Sequence, residues 1–347
     1  MQQQKVFVTG GTGLVGSHLI AALLHKGNHV VALVRDSSKT GLVNKVAGWY
    51  FPDEKLPWEH LSWLQGDVMN FADLMEAMEG CDTVYHCAAT VSFNPAQRNA
   101  MLRNNVDGTA NVVDAAIASS VKSFCQVSSI AALGSGDADE VVDENTPRNP
   151  GSAYSGYSIS KFYSELEVWR GFHLGLPVVI VNPGIILGPG DWHKGSSSLI
   201  HQIGKGMPFY TSGTGAYVDV RDVVEAMMHL LGSDIRGERF CLSPHHLSYK
   251  DFFTRIALLL NKKPPTIQIS YPVLRFAARL MRLASFFSGK EPLITRESAK
   301  SAFSSTQYSS EKIVHQTQFS FRSMDETLKY CTDAYQKDFI NSKNGTI

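Results

Sequence analysis

A glycine-rich turn near the start of the chain constrains the fold more than any other stretch of the sequence. Residues 5–16 read KVFVTGGTGLVG, in which an apolar run predicts a buried strand and Leu14 opens a helical pattern. The spacing Gly11-x-Gly13-x-x-Gly16 fits a dinucleotide-binding fingerprint, because glycine lets the backbone turn tightly and approach a pyrophosphate. The helix N-terminus adds unpaired N–H groups and a partial positive charge. We therefore expect a strand, a phosphate-binding turn and a helix in this order.

Strands and helices continue to alternate as far as residue 181. Predicted strands cover residues 29–34, 63–65, 83–86, 123–127 and 177–181, and predicted helices cover residues 14–26, 72–78, 104–119 and 154–174. The stretch 48–57, rich in Trp and Pro, fits neither pattern and is expected to be a loop. The alternation predicts an α/β fold, a Rossmann-type doubly wound parallel sheet with right-handed crossovers and helices on both faces.

The alternation breaks down after residue 181, where short elements rich in Gly, Pro and Ser follow. Such a region is typical of a smaller mixed C-terminal lobe that covers a ligand at the carboxyl edge of the sheet. We expect residues 1–181 to form the nucleotide-binding domain. Residues 182–347 are expected to form mainly a substrate-binding lobe, with segments such as 217–243 returning to the sheet.

The overall composition excludes several classes of protein. The 347 residues include 32 basic and 32 acidic side chains, a balance that gives no general attraction to nucleic acid or to an acidic membrane. No apolar run is long enough to span a bilayer, and the start of the chain lacks the pattern of a signal peptide. The five cysteines are widely spaced without a Cys-x-x-Cys pair, which predicts neither a disulfide framework nor a metal site. These features predict a cytoplasmic protein with reduced cysteines.

One apolar segment, residues 273–287, has two interpretations. Arg275, Arg279 and Arg282 recur on one face of its helical pattern, as in helices that lie on a membrane surface. A helix that packs on the small lobe is the favoured interpretation, because arginines on a solvated helix face are common.

A tyrosine and a lysine four residues apart supply the chemistry. Tyr157 and Lys161 lie on one face of a predicted helix, so their polar groups can share a pocket. A nearby cation favours the charged form of a phenol, and we expect Lys161 to lower the pKa of Tyr157. Tyr157 can then protonate a carbonyl oxygen while a hydride reaches its carbon, and Ser129, after a strand end, can bind the same oxygen. Tyr154 lacks this pairing, since Ser158 stands four residues after it.

Seven motifs in register resemble the extended short-chain dehydrogenases/reductases. They are Thr9-Gly10-x-x-Gly13-x-x-Gly16, Asp67-Val68, His86-Cys87-Ala88-Ala89, Asn105-Val-x-Gly108-Thr109, Ser128-Ser129, Tyr157-x-x-x-Lys161 and Asn182-Pro183-Gly184. The resemblance covers almost the whole chain, since Tyr217-Val-Asp219-Val-Arg-Asp222-Val also looks like the family's late strand-to-helix signature.

The resemblance implies roles for individual residues. Ser129, Tyr157 and Lys161 are the implied catalytic residues, and Asn105 either joins them or braces backbone. The implied cofactor-binding residues are Gly10, Thr12, Gly13, Leu14, Gly16, Arg35, Asp67, Val68, Ala88, Ala89, Tyr157, Lys161, Pro183, Gly184 and Ile185, in which the glycines cradle the pyrophosphate, Asp67 and Val68 meet the adenine, and Lys161 also binds the nicotinamide ribose. Substrate contacts are expected from Phe93, Ser129, Asn182 and Tyr217.

The end of the second predicted strand bears on the cofactor. Val34 stands where family members that prefer NAD carry an aspartate, and valine cannot bind a ribose diol. Arg35 can pair with a 2′-phosphate, with Ser37 and Lys39 as helpers. NADP(H) is therefore favoured and NAD(H) remains possible, whereas Asp36 is not assigned to the ribose.

The resemblance also separates the branches of the family. Sugar-nucleotide dehydratases usually carry a threonine and acidic residues where this chain has Ser129-Ile130-Ala131. Because this chain has no carboxylate there to act as acid and base, we do not expect it to catalyse a dehydration. Residues 181–189 look more like the dihydroflavonol, cinnamoyl-CoA and aldehyde reductases, which reduce small-molecule carbonyl groups. The alternatives are a nucleotide-sugar epimerase, a 3β-hydroxysteroid-type dehydrogenase and a non-catalytic NADP-binding protein. Many extended members form homodimers, so helices 104–119 and 154–174 are candidate interface elements.

Overall fold

A seven-stranded parallel sheet organises the computed structural model, which describes residues 4–134, 140–288 and 295–339. The strands are β1 Lys5–Thr9, β2 His29–Val34, β3 Leu61–Gln65, β4 Thr83–His86, β5 Ser123–Val127, β6 Val141–Val142, β7 Val178–Pro183, β8 Ile185–Leu187, β9 Phe209–Tyr210, β10 Thr214–Asp219, β11 Glu238–Leu242, β12 His245–Ser248, β13 Ile267–Gln268 and β14 Gln307–Tyr308. The large sheet has the order β11-β7-β5-β4-β1-β2-β3, and all of its pairs are parallel. The predicted Rossmann-type α/β class is confirmed.

Helices cover both faces of this sheet. The helices of the described residues are α1 Leu14–His25, α2 Gly41–Tyr50, α3 Phe71–Ala77, α4 Arg98–Ala118, α5 Gly156–His173, α6 Ser197–Gly204, α7 Val220–Leu231, α8 Tyr249–Leu259, α9 Tyr271–Ser288, α10 Arg296–Ser301, α11 Glu311–Thr317 and α12 Met324–Phe339. Side chains alternate along β1, so Val6 and Val8 join the core under α1 and α7, and Phe7 joins the core under α3, α4 and α5. A strand buried on both faces explains why its sequence is continuously apolar.

Helix α2 corrects the expected loop at residues 48–57. Residues 48–50 form the last turn of Gly41–Tyr50, and an irregular segment follows them. Val43, Val46 and Ala47 are buried at helical spacing and pack in the core that contains α1. Gly41 and Gly48 weaken the local helical signal, since glycine disfavours helix formation, and tertiary packing overrides it here.

The C-terminal half combines small sheets with a return to the large one. Strands β12, β10 and β8 form a three-stranded sheet, β13 pairs with β9, and β14 pairs with β6. Strand β11 becomes an edge of the seven-stranded sheet beside β7. Helices α6, α8 and α12 enclose a separate core that includes Ile200, Phe252 and Leu328. All five cysteines are free thiols, and four of them are buried.

Helix α9 packs on the small lobe by one face only. Leu274 and Ala278 are buried, whereas Val273, Phe276 and Leu280 are exposed. The predicted arginine face is described for Arg275 and Arg279, which are both exposed. The side chain of Arg282 lies outside the described residues. Within the described ranges, the helices are all too short or too polar to cross a membrane.

Candidate active site

The glycine turn brings the start of α1 against the ends of β1 and β4. Gly10 has φ +71°, and a Cβ added there would lie 2.6 Å from the Ala88 backbone nitrogen. A Cβ on Gly16 would collide with the Gly10 carbonyl oxygen, while the Gly13 N–H donates to that oxygen at 3.0 Å. The turn therefore has no room for side chains at Gly10 and Gly16. It leaves bare backbone and a helix N-terminus at the carboxyl edge of the sheet, which fits a pyrophosphate group.

A cleft of about 110 Å³ opens beside this turn. Nine of the residues singled out from the sequence line it, namely Gly10, Thr12, Val34, Arg35, Asp67, Val68, Ala88, Ala89 and Asn105. The others lie elsewhere: Leu14 packs towards Gly188 and Gly190, Pro183 is buried at the end of β7, and Gly184 lies against Ser243 and Ala216. The arrangement of the cleft fits the adenosine half of a dinucleotide.

Arg35 and Asp36 directly follow β2 and have different surroundings. Arg35 is exposed and Val34 is buried, and both residues line the cleft. The Asp36 carboxylate accepts hydrogen bonds from the Ser38 N–H at 3.1 Å and the Ser38 hydroxyl at 2.7 Å, and it forms an ion pair with Lys39. These bonds lower the pKa of Asp36 to about 2. Asp36 is thus engaged by the turn that it caps.

A buried hydrogen-bonded chain pins the loop after β4 to β1. The Ala88 N–H donates to the Thr9 hydroxyl at 3.1 Å, and His86 lies within 2.7 Å of Thr9 and 3.0 Å of Thr109. Because the Thr109 hydroxyl donates to the Asn105 carbonyl, we assign Thr9 as donor to His86 Nδ1 and His86 Nε2 as donor to Thr109. Burial lowers the pKa of His86 to about 3, so the ring is neutral. Its bracing role was not predicted from the sequence.

The proposed catalytic side chains meet at the start of α5. Ser155 caps this helix by accepting from the Ser158 N–H at 3.0 Å, which places Tyr157 in the first turn and Lys161 one turn later. Ser129 follows β5, and its hydroxyl bonds the Tyr157 phenol. The Phe93 ring stands edge-on to the Tyr157 ring with centroids 5.9 Å apart. Ser129, Tyr157, Lys161 and Phe93 are therefore gathered at one edge of the sheet.

Burial overturns the expected effect of Lys161 on Tyr157. It raises the pKa of the Tyr157 phenol, and the hydrogen bond with Ser129 opposes this rise only in part. The Lys161 ammonium instead donates to the Val127 carbonyl at 3.0 Å. Burial lowers the pKa of Lys161 to about 8, against the opposing attraction of Glu165. Tyr157 is consequently protonated at neutral pH.

Glu165 is the centre of a network that the sequence analysis missed. This almost fully buried carboxylate forms an ion pair with Arg239 at 3.0 Å and accepts a hydrogen bond from the Asn182 amide. Arg239 also donates to the Glu144 backbone carbonyl. The position of Glu165 four residues after Lys161 could have indicated that it lies near the lysine. Its partner Arg239 on β11 is too distant in the sequence to be predicted from local spacing.

Asn105 is a backbone brace in this structure. Its amide donates to the Thr90 carbonyl at 2.9 Å and to the Ser160 hydroxyl at 3.0 Å, and its oxygen accepts from the Thr90 N–H at 2.7 Å. It thereby ties the loop after β4 to α4 and α5. Tyr154 has a comparable structural role, since its hydroxyl accepts from the Asn149 N–H and Arg148 stacks on its ring.

Two residues expected at the substrate are instead buried. The Asn182 side chain is fully buried and donates to the Ser129 carbonyl at 3.0 Å as well as to Glu165. Tyr217 is fully buried, and its ring stacks on Phe252 with centroids 4.4 Å apart. Strand β10 turns Tyr217 into the core of the small lobe, because side chains alternate between the faces of a strand.

Comparisons with known proteins agree with this fold. The model of the NAD dependent epimerase/dehydratase family matches residues 6–242. A putative dihydroflavonol 4-reductase of Synechocystis sp. is 30% identical over 89% of this chain and 88% of its own. Cinnamoyl-CoA reductase 1 of Petunia hybrida is 32% identical over 66% of this chain and 68% of its own. The crystal structure of gox2253 superposes with a TM-score of 0.79 at 26% identity, covering 97% of this chain and 99% of that one.

The parallel sheet, the glycine turn and the tyrosine–lysine pair define an extended short-chain dehydrogenase/reductase. The chain belongs to the NAD dependent epimerase/dehydratase family. Within that family it is an oxidoreductase, in keeping with the reductases and dehydrogenases among its relatives.

Removal of the buried Tyr217 hydroxyl tests whether this side chain is a core residue without a polar partner. It finds no hydrogen-bond partner among the residues that the structure describes, so Tyr217→Phe should leave the free energy of unfolding unchanged or raise it. Tyr335→Phe is the matched control, because the Tyr335 hydroxyl contacts His201 at 3.2 Å; it should lose about 1 kcal/mol. Chemical denaturation measures both, and a larger loss in Tyr217→Phe would show that the hydroxyl has a functional or structural partner.

Proposed function

We propose that this chain is an NADP(H)-dependent reductase that converts a ketone or aldehyde of a small organic molecule into the alcohol. The observation that carries the proposal is the position of Tyr157, one turn before Lys161 on α5 and beside Ser129 and Phe93, at the sheet edge that carries the glycine turn. Reduction needs a proton donor at the carbonyl oxygen, and a phenol with a raised pKa keeps its proton at neutral pH. The named reductase relatives support this direction of chemistry.

The cofactor is proposed to lie across the carboxyl edge of the sheet. Backbone around Gly10, Thr12, Gly13 and Gly16 would hold the pyrophosphate, with the adenine beside Asp67 and Val68. Arg35 would pair with the 2′-phosphate. Bound there, NADP(H) would supply the hydride.

The remaining steps belong to side chains of this chain. Ser129 and Tyr157 would hold the carbonyl oxygen by two hydrogen bonds, which polarises the carbon for attack. As the carbon gains the hydride and negative charge develops on the oxygen, Tyr157 would pass its proton to that oxygen. Lys161 would stabilise the resulting phenolate by its positive charge. Phe93 would exclude water from one side of the reacting group.

Removal of the Tyr157 hydroxyl tests the catalytic assignment. Tyr157→Phe should lower kcat at least about 10²-fold, the lower end of a general acid–base contribution, with little change in NADPH binding. Tyr154→Phe on the same segment is the control and should retain activity. NADPH oxidation with a panel of aldehydes, ketones and sugar nucleotides measures both. Unchanged kcat in Tyr157→Phe would refute the assignment, and interconversion of sugar nucleotides without net oxidation of NADPH would favour an epimerase.

Arg35 tests the choice of cofactor. Arg35→Ala should weaken NADPH binding by roughly 10- to 100-fold, the usual range for a charge-assisted hydrogen bond, and leave NADH binding nearly unchanged. Lys55→Ala, another exposed cation of the nucleotide-binding half, controls for a general loss of positive charge. Fluorescence titration gives both dissociation constants. Equal losses for the two cofactors would contradict the proposed contact with the 2′-phosphate.

The pH profile tests Lys161 and its neighbour Glu165. The pKa of Lys161 is lowered to about 8 and Glu165 raises it, so kcat/KM for reduction should fall as pH rises through about 8 and the ammonium is lost. Glu165→Gln removes the attraction and should move this fall to lower pH. Glu167→Gln on the same helix, whose partner is Arg170, should leave the profile in place. A fall unaffected by Glu165→Gln would assign the titration to another group.

A further inference from the structure

The charges of this chain are unevenly distributed along its sequence. From Phe252 to Met281 the basic residues are Arg255, Lys262, Lys263, Arg275 and Arg279, and the segment has no acidic residue. The whole chain has 32 of each sign. This segment leads into and includes most of α9, so this stretch of the chain is positive although the protein is neutral.

Helix α9 has an exposed apolar face in addition to its buried one. Val273, Phe276 and Leu280 are 59%, 61% and 52% exposed, and their spacing of three and four residues places them on one side of the helix. Leu274 and Ala278, which pack on the lobe, occupy a different side. The helix thus has more apolar surface than its own lobe covers.

Two arginines border this exposed apolar side. Arg275 and Arg279 are exposed and lie one turn apart, between the buried side and the apolar side of α9. A long arginine side chain can lie along an apolar surface while its guanidinium reaches polar groups. This distribution is typical of helices that lie in the interface of a bilayer, with the apolar side in the acyl boundary and the cations at the headgroups.

A second exposed apolar pair precedes the helix. Phe209 on β9 and Ile267 on β13 are direct register partners, and both are exposed. The chain enters α9 shortly after β13. We call Val273, Phe276 and Leu280, together with Arg275 and Arg279, the α9 patch.

We propose that the α9 patch docks this protein on an anionic lipid bilayer. Burial of the exposed apolar residues in the bilayer removes apolar surface from water, and the arginines are attracted to anionic headgroups. A second copy of this chain fits the patch less well. A two-fold contact brings the same surface of each copy together, and it would oppose arginines to arginines without an acidic residue in the patch.

Helix α10 connects the α9 patch to the catalytic helix α5. Glu297 on α10 lies 3.5 Å from the Gly156 N–H, directly before Tyr157, and α10 packs on α9. Docking would therefore anchor the lobe that borders the active site. This is the arrangement that a reductase needs when its carbonyl substrate is dissolved in the lipid, but docking itself does not depend on catalysis.

Vesicle flotation of the full chain tests the proposal. We expect the protein to float with vesicles of phosphatidylcholine containing phosphatidylglycerol, and much less with phosphatidylcholine alone or at high salt. Each basic residue at an anionic surface contributes roughly fivefold to partitioning, so Arg275→Glu/Arg279→Glu should lower partitioning by at least roughly thirtyfold. Phe276→Ser/Leu280→Ser should lower it on the same vesicles by removing apolar area.

Matched variants make the outcome decisive. Lys55→Glu/Lys337→Glu reverses the same number of exposed charges elsewhere, and Leu174→Ser removes an exposed leucine directly after α5; both should float like the unmodified protein. Circular dichroism and NADPH binding confirm that each variant is folded. If the unmodified protein stays in the aqueous fraction, or if the α9 variants float normally, the proposal is wrong. If the α9 variants instead convert a dimer into a monomer by light scattering without changing flotation, the patch is a self-association surface and the proposal also fails.

Discussion

The ion pair between the buried Glu165 carboxylate and the partly buried Arg239 side chain is the interaction on which the geometry of the active site depends. Removing two charges from water is costly unless each finds its partners in good geometry. Glu165 lies on α5 and Arg239 on β11, and the Asn182 amide at the end of β7 bonds the same carboxylate. Two consecutive elements, α5 and β7, and the distant strand β11 must therefore hold their relative positions to keep one carboxylate paired. Because Tyr157 and Lys161 belong to the same helix as Glu165, this requirement also fixes the height of both side chains above the sheet.

The same network controls which groups carry charge. Burial makes the charged forms of Tyr157 and Lys161 unfavourable, which raises one pKa and lowers the other. Glu165 acts in the opposite direction on Lys161, so the lysine remains a cation near neutral pH. Asn182 transmits the constraint further by donating to the Ser129 backbone carbonyl. A protonated phenol, a fixed serine and a cation supported from behind are the combination that proton donation to a carbonyl oxygen requires.

The sequence predicted the architecture better than the roles of individual side chains, for a physical reason. The period of apolar residues determines which face of an element is buried, and parallel strands must end at a common edge, so the cleft lined by Gly10, Arg35 and Asp67 followed from local pattern. The roles of Asn182 and Tyr217 depend on what lies across the space from them. Asn182 faces Glu165 and Tyr217 faces Phe252, and neither partner can be inferred from spacing along the chain. Helix α2 was missed for the same reason, because its stability comes from packing against α1.

Net charge is a similarly poor guide to surface chemistry. The neutral total of this chain includes acidic residues that never reach the surface. Asp219 and Asp222 are fully buried, where they pair with Arg221 and Arg322 and hold α7 and the segment before α12 together. A buried carboxylate of this kind counts in the net charge of the chain. Because a guanidinium neutralises it, it does not repel anionic headgroups at the surface. The balance of 32 and 32 therefore excludes a general attraction to acidic membranes only for the average surface. It does not exclude local attraction at α9, where the arginines are exposed and the segment contains no acidic residue to oppose them.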